Sequence, residues 1–475
     1  MNTLKLSTFA VTQLHGFLDI ELSFNDDLTI IVGRNGSGKT SALSLISDML
    51  RLEVTAIRRV PFRDATLTLE HPQLGKVVVS AQNHDQAKAI SLEVSGEIVS
   101  LPLDLPLELY SQGVRGTQAN FILQGLLDFT SAQASKDGAR KLDLKEWFNL
   151  AKQFGDATRL TFVKLDRTII AVDPDGVERT ESPKARGGKA SPNDPIDEVL
   201  RVTTQKYGEF KNKIEEIKNV AFNQLLQLHF EPVQQISTRS KTSQAQLKAK
   251  LLQLRRRVER SALLADSPSL QSTTTTFFES FSELLFETPA PASVKKRVGR
   301  KSLQEESAQI LLNLKERQLE KLLQIFEAEQ EQAQQAYGPI KRYLDATMKF
   351  LRESGKSLEF DSSLQLGFTV PSAGAFDETE SHRRRGLKEL ASGERQVIIV
   401  LTYLAFLAGE ESIFIVDEPE LSLHLRWQGY LVEALNRLRP GSCQIIIATH
   451  APEIAGRAKS KIRLLKPGYL PTETE

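Results

Sequence analysis

The run Gly33-Arg34-Asn35-Gly36-Ser37-Gly38-Lys39-Thr40 fits the pattern G-x-x-x-x-G-K-[ST], and each residue type in it has a task in holding a polyphosphate. Glycines let backbone amides turn inward and approach phosphate oxygens closely, and a helix starting at the end of the loop adds partial positive charge. Lys39 supplies a point charge for the β and γ phosphates, and the Thr40 hydroxyl suits Mg²⁺. Near the other end of the chain, Asp417-Glu418 follows the apolar run Ser412 to Val416, and His450 follows the apolar run Gln444 to Thr449. Asp417 is the candidate Mg²⁺ partner, Glu418 the carboxylate that polarises an attacking water, and His450 a hydrogen-bonding partner for the γ-phosphate or that water.

These groups need elements that carry them to one place. Leu28 to Val32 is short, apolar and β-branched, which predicts a buried strand before the glycine loop. Ser41 to Leu52 after it has helical spacing, with Leu43, Ile46 and Leu50 on one face. The runs before Asp417 and His450 predict two more buried strands, whose carboxyl ends form the edge of a parallel sheet where ligands bind. Ser392 is expected to cap a helix running from about Glu394 to Leu407, which makes Ser392 and Gly393 a second anion site.

Taken together these motifs resemble the ABC-type ATPases. Ala391-Ser392-Gly393-Glu394-Arg395-Gln396 is similar to their signature motif, with alanine at a position where many members have serine or leucine. Ile413 to Glu418 resembles the Walker B strand, Pro419 to His424 the D-loop, and His450 the switch histidine. The similarity covers about 130 residues at the start and about 120 at the end, and it points to the soluble branch that includes SMC, RecF, Rad50 and the OLD-type ATPases. It implies an α/β fold: a P-loop head assembled from two lobes, residues 1–130 and 357–475, with an inserted α-helical, short coiled-coil domain at 131–356. It also implies ATP and Mg²⁺ as ligands and a shared site, in which Ser392, Gly393 and Glu394 close on nucleotide held by a second protomer. Homodimers or larger homo-oligomers follow from that arrangement. Leu107 to Gly113 resembles a Q-loop strand, so that Gln112 either ligates Mg²⁺ or is a solvent-facing turn residue.

The first lobe continues as β-rich sequence, with strands expected at Ala65 to Glu70, Lys76 to Ala81, Ile90 to Val94 and Glu97 to Leu101. The inserted region mixes a flexible Lys184 to Pro192 linker and Ser/Thr/Pro-rich loops with helices expected at Ile196 to Leu228, Thr242 to Leu264 and Leu303 to Tyr337. Leu312, Leu319, Leu322 and Phe326 make an a/d stripe on the last, a helix of roughly 35 residues spanning on the order of 50 Å.

Composition narrows the function classes. With 475 residues the chain exceeds one ordinary core. Its 61 Lys plus Arg against 60 Asp plus Glu give no global attraction to nucleic acid or membrane, so any such contact is local. The candidates are Arg255-Arg256-Arg257, Lys295-Lys296-Arg297 with Arg300-Lys301, and Arg383-Arg384-Arg385; the third is nearest the signature and suits nucleotide or a neighbouring subunit. One cysteine, Cys443, excludes a disulfide framework and a paired-cysteine zinc hook. The start shows no signal-peptide pattern and no apolar run reaches about 18 residues, so a cytoplasmic protein without membrane contact is expected. About 25 residues follow His450, and any nuclease is expected to be a separate partner. The resemblance extends to ATPase subunits of bacterial anti-phage systems such as PARIS and Septu, which implies a sensor or scaffold controlling a separate nuclease. A DNA-binding repair ATPase of the RecF or Rad50 kind is the alternative.

Overall fold

A computed structural model describes residues 4–84, 87–103, 144–164, 169–172, 194–230, 300–371, 382–465 and 468–469, with a few isolated positions between 249 and 279. Two compact units emerge, one made of Met1–Gln205 and Arg342–Glu475, the other of Lys206–Lys341.

The first unit is built around a six-stranded sheet ordered β15-β3-β14-β13-β8-β9, with β3 Leu28–Val32, β8 Leu160–Val163, β9 Ile169–Val172, β13 Ile413–Asp417, β14 Gln444–Thr449 and β15 Ile462–Leu464. All neighbours are parallel except β8 with β9. Strands buried on both faces read as unbroken apolar runs, and their residues divide between two cores by the two-residue period. In β13, Ile413 and Ile415 join one core, whereas Phe414 and Val416 join the other.

The first of those cores is closed by helix α1 (Lys39–Leu50) and by a seven-stranded antiparallel sheet ordered β16-β2-β1-β4-β5-β6-β7. Its strands are β1 Lys5–Leu14, β2 Leu18–Ser23, β4 Asp64–His71, β5 Gly75–His84, β6 Ala87–Val94, β7 Glu97–Pro102 and β16 Gly468–Tyr469. The last four of the amino-terminal strands fall where the sequence predicts them; β1 and β2 add to that set. Gln444 stitches this sheet to the central one, since its side chain accepts from the Leu6 amide at 2.8 Å and donates to the carbonyls of Leu6 and Asn25 at 2.9 and 2.8 Å.

The second core lies under two helices, Ser392–Thr402 and Leu425–Leu438, and the three-stranded sheet β10 Ser357–Phe360, β11 Leu366–Pro371, β12 His382–Gly386. Tyr343 is fully buried here, its hydroxyl hydrogen-bonded to Thr402 at 2.9 Å, and burial pushes its pKa up to about 12.

The division of the chain differs from the expected 1–130, 131–356 and 357–475. The helix Leu144–Ala157, strand β8 and the last turns of the helix Arg300–Leu351 fall in the first unit. Leu160-Thr161-Phe162-Val163 is wholly buried beside β13, but four residues are too few to announce a strand within a helix-rich stretch. In the second unit the described backbone is helical, in 206–230 and 300–341, from the helices Pro195–Phe230 and Arg300–Leu351. Rings of Phe210 and Tyr337 lie 5.4 Å apart there. The long helix runs beyond the expected Tyr337 and through Pro339. The expected strand at Leu107 to Gly113, the linker at Lys184 to Pro192, most of the helix at Thr242 to Leu264 and the cluster at Lys295 to Arg297 lie outside the described residues. Among the described residues no helix is long and apolar enough to cross a membrane.

Candidate nucleotide site

Three chemistry-bearing loops leave the same edge of the central sheet because β3, β14 and β13 are adjacent and parallel. Val32 pairs with Thr449, and Ala448 with Asp417, so Gly33, His450 and Glu418 begin their loops side by side. The Gly33 amide donates to Thr449 O at 3.3 Å, and the Glu418 amide to Ala448 O at 2.8 Å.

In the glycine loop the chain turns through Gly36 and enters α1 from Gly38, whose φ of 86° is left-handed. A side chain there would be strained, and its Cβ would also lie 3.0 Å from Ile20 and 3.1 Å from Leu18. Arg34 and Asn35 are exposed at the crown of the loop. Lys39 is buried, and its ammonium donates to the carbonyls of Gly33 and Arg34 at 2.8 and 3.0 Å. The charge therefore spans the mouth of the loop, where phosphate oxygens would replace those carbonyls. Ser37 Oγ is buried without a partner, and Thr40, the second residue of α1, is exposed.

Asp417 ends β13 almost fully buried, with neither carboxylate oxygen in hydrogen-bonding geometry with another group. Burial pushes its pKa up to about 6; the nearby Thr40 hydroxyl and Lys39 charge oppose the shift, and Glu418 and Glu420 reinforce it. The Thr40 hydroxyl is near enough to act on Asp417, yet the two stand too far apart or too poorly aligned to satisfy the carboxylate. An unpaired buried carboxylate facing a hydroxyl is a costly arrangement by itself and suits a divalent cation. The residues present thus fit a divalent cation such as Mg²⁺, which Asp417 and Thr40 would hold.

Glu418 adopts a left-handed φ of 46°, unusual for a residue other than glycine. That turn lifts its side chain to a half-buried position 4.0 Å from His450 Nδ1. Sequence reasoning missed the next carboxylate. Glu420 is buried; its Oε1 accepts from the Thr449 hydroxyl and from the His450 amide at 2.9 Å, and lies 3.1 Å from His450 Nδ1. The visible signal was a third acid in Asp417-Glu418-Pro419-Glu420.

The signature segment lies against the D-loop. A Cβ on Gly393 would sit 2.4 Å from the Ser422 carbonyl oxygen. Ser392 does not cap the helix: Ala391, with φ −63° and ψ 157°, is the N-cap, and Ser392 is the first helical residue, exposed to solvent. Alanine has no side-chain acceptor, so capping falls to Glu394, whose Oε2 accepts from the Ala391 amide at 2.9 Å. Glu394 is buried and also takes both 2.7 Å bonds from Lys356 Nζ and a 2.8 Å bond from Ser354 Oγ. Burial pushes its pKa up, and the bonds from Lys356, Ala391 and Ser354 more than offset that, leaving it below the usual value. Its oxygens are turned to its own chain rather than to a ligand. Arg384 is likewise committed, to Asp361 at 2.9 Å and to Gln365 O at 2.7 Å. Gln112 lies outside the described residues.

The family described as AAA ATPase domain matches residues 4–455. No curated protein gives a significant match. Among solved structures, the chain is similar to the Smc head domain with an extended coiled coil bound to the C-terminal domain of ScpA from Pyrococcus furiosus, at 12% identity and a TM-score of 0.35, covering 98% of this chain and 96% of that one. It is also similar to the Smc head domain with a coiled coil and joint from Pyrococcus yayanosii, at 13% identity and a TM-score of 0.34, covering 98% and 97%.

Proposed function

We propose, from the premise that this chain belongs to the AAA ATPase domain family, that it binds ATP with Mg²⁺ and hydrolyses it to ADP and phosphate at the edge of the central sheet. The observation that carries this reading is that Lys39, Thr40, Asp417, Glu418 and His450 sit at or just beyond the carboxyl ends of three adjacent parallel strands. Lys39 and the loop amides hold the β and γ phosphates. Thr40 and Asp417 would hold Mg²⁺, which would supply screening of the phosphate charge. Glu418 accepts a proton from the attacking water, and His450 hydrogen-bonds the γ-phosphate or that water. Measuring phosphate release by the purified chain with Mg²⁺ and ATP tests the reading, and no release above a Lys39→Ala control would overturn it.

The shared-site arrangement belongs to the same proposal. Ser392, exposed at the start of its helix beside free backbone amides, closes on the γ-phosphate held by a second copy, so that ATP binding and dimerisation are one event. At the cellular level the chain acts as a regulatory ATPase with a separate nuclease, as in bacterial anti-phage systems. The motif resemblance and the compact unit Lys206–Lys341, helical in its described residues, support that role. On this reading that unit supplies the short coiled-coil arm. Co-purification with the product of a neighbouring nuclease gene is its test, and a chain that never forms such a complex argues for the alternative. That alternative, a DNA-repair ATPase, draws on the helical Arg255 and Arg256. Reversing Arg255, Arg256 and Arg257 to glutamate should then flatten the salt dependence of DNA binding by up to about three phosphate contacts.

A further inference from the structure

Glu420 has no part in the roles assigned above, yet its surroundings are the most specific in the site. It is 3% exposed, and one of its oxygens accepts from the Thr449 hydroxyl and the His450 amide and lies 3.1 Å from His450 Nδ1. Its other oxygen, Oε2, is buried without a partner. The Thr449 hydroxyl in turn accepts from the Ala451 amide at 2.9 Å, so the carboxylate organises the whole turn after β14. His450 itself is 41% exposed and 4.0 Å from Glu418, a second carboxylate that competes for the same ring nitrogen.

The geometry points to Glu420 as a positioning residue that sets the tautomer and direction of His450. A carboxylate oxygen 3.1 Å from Nδ1 favours a proton on that nitrogen, and the opposite nitrogen, Nε2, is then an acceptor, suited to the attacking water rather than to a phosphate oxygen. Nδ1 lies nearer Glu420 than Glu418, 3.1 against 4.0 Å, which leaves the latter carboxylate free for water. Without Glu420 nothing would hold the proton on Nδ1, the ring would shift toward the Nε2–H form, and the acceptor turned to the water would be lost. The inference rests on the ATPase reading for its kinetic consequence, although not for the state of the ring.

The test pairs kinetics with ring spectroscopy. Glu420→Ala should lower kcat by about 10- to 100-fold with KM for ATP little changed, the range found when the hydrogen-bond partner that orients a working histidine is removed. Glu420→Gln keeps an acceptor oxygen and should recover most of that loss. In a His450→Ala background, Glu420→Ala should add no further loss, because the two act as one unit. With ¹⁵N-labelled histidine, and the His450 signals identified by their disappearance in His450→Ala, the wild type should show the Nδ1–H form and Glu420→Ala a shift toward Nε2–H. Additive kinetic losses, or ring signals that do not move, would overturn the inference. Should Glu420→Ala fail to fold, the wild-type ring signals decide: an Nε2–H form refutes it. A wild-type protein that releases no phosphate would defeat the ATPase reading alone, since the ring measurement needs no turnover.

Discussion

Gly393 and Ser422 touch through their backbones: the space a Cβ would need on the glycine is taken by the Ser422 carbonyl oxygen, 2.4 Å away. Ser422 itself holds a left-handed φ of 67° to make that approach. Signature and D-loop are therefore registered on each other within one chain. Gly393→Ala should push the D-loop outward at a cost of about 1–3 kcal/mol, the scale of overpacking. Thermal unfolding and phosphate release should both fall, and an unchanged melting temperature with full turnover would refute the contact.

Glu418→Gln separates binding from chemistry. It should retain ATP and lose turnover by about 100-fold or more, the contribution of a lost general base. Lys39→Ala should instead weaken ATP binding by about tenfold or more. Equilibrium binding of labelled nucleotide, run beside phosphate release, reads both outcomes; near-normal turnover in both variants would remove these roles.

Ser392→Arg tests whether two copies share a site. The exposed position tolerates the side chain, so ATP binding to the single subunit should be nearly unchanged while hydrolysis is lost. Mixed with Lys39→Ala subunits, it should regain partial activity, because one of the two interfaces in a heterodimer is then intact. Heterodimers that form and never hydrolyse ATP would count against sharing.

Lys356 and Glu394 form a pair whose loss should be felt as stability. Because the folded-state pKa of Glu394 is depressed below the ordinary 4.5, its contribution is present above that value and lost as pH falls through the folded pKa. Glu394→Gln should lower stability by about 2–3 kcal/mol near neutral pH, the scale of breaking a buried charged hydrogen-bond pair. The gap between variant and wild type in denaturant midpoints should close below about pH 4.5. A gap that widens with acid would show the sign to be wrong.

The phosphate loop and the two strands ending in Asp417 and Thr449 were legible because loop chemistry and buried parallel strands leave strong local marks. Strand β8 was not, since its place is fixed by Ile413 to Val416, far along the chain. Glu394 illustrates the same limit in the site. Its motif position suggests a ligand contact, but Lys356 and Ser354, on a turn before a different sheet, claim its oxygens. Ser392 was read as a cap from residue type alone, and the backbone starts the helix one residue earlier because Glu394 can serve the Ala391 amide. Glu420 was visible as a residue but not as a partner of His450, because the approach of the two loops depends on β13 and β14 lying side by side.

The Gln444 stitch to Leu6, between residues 438 positions apart, has a consequence for how the protein is made. Strand β3 leaves the ribosome long before both its neighbours, β14 and β15. Until then a wholly buried, largely apolar strand has open edges on either side, and closing so long a loop is entropically slow. The nascent chain must carry its phosphate loop through the synthesis of everything between β3 and β14 without the sheet that shapes it. Early release of the chain would leave an aggregation-prone strand, so synthesis itself should be the stage at which this protein most depends on chaperones.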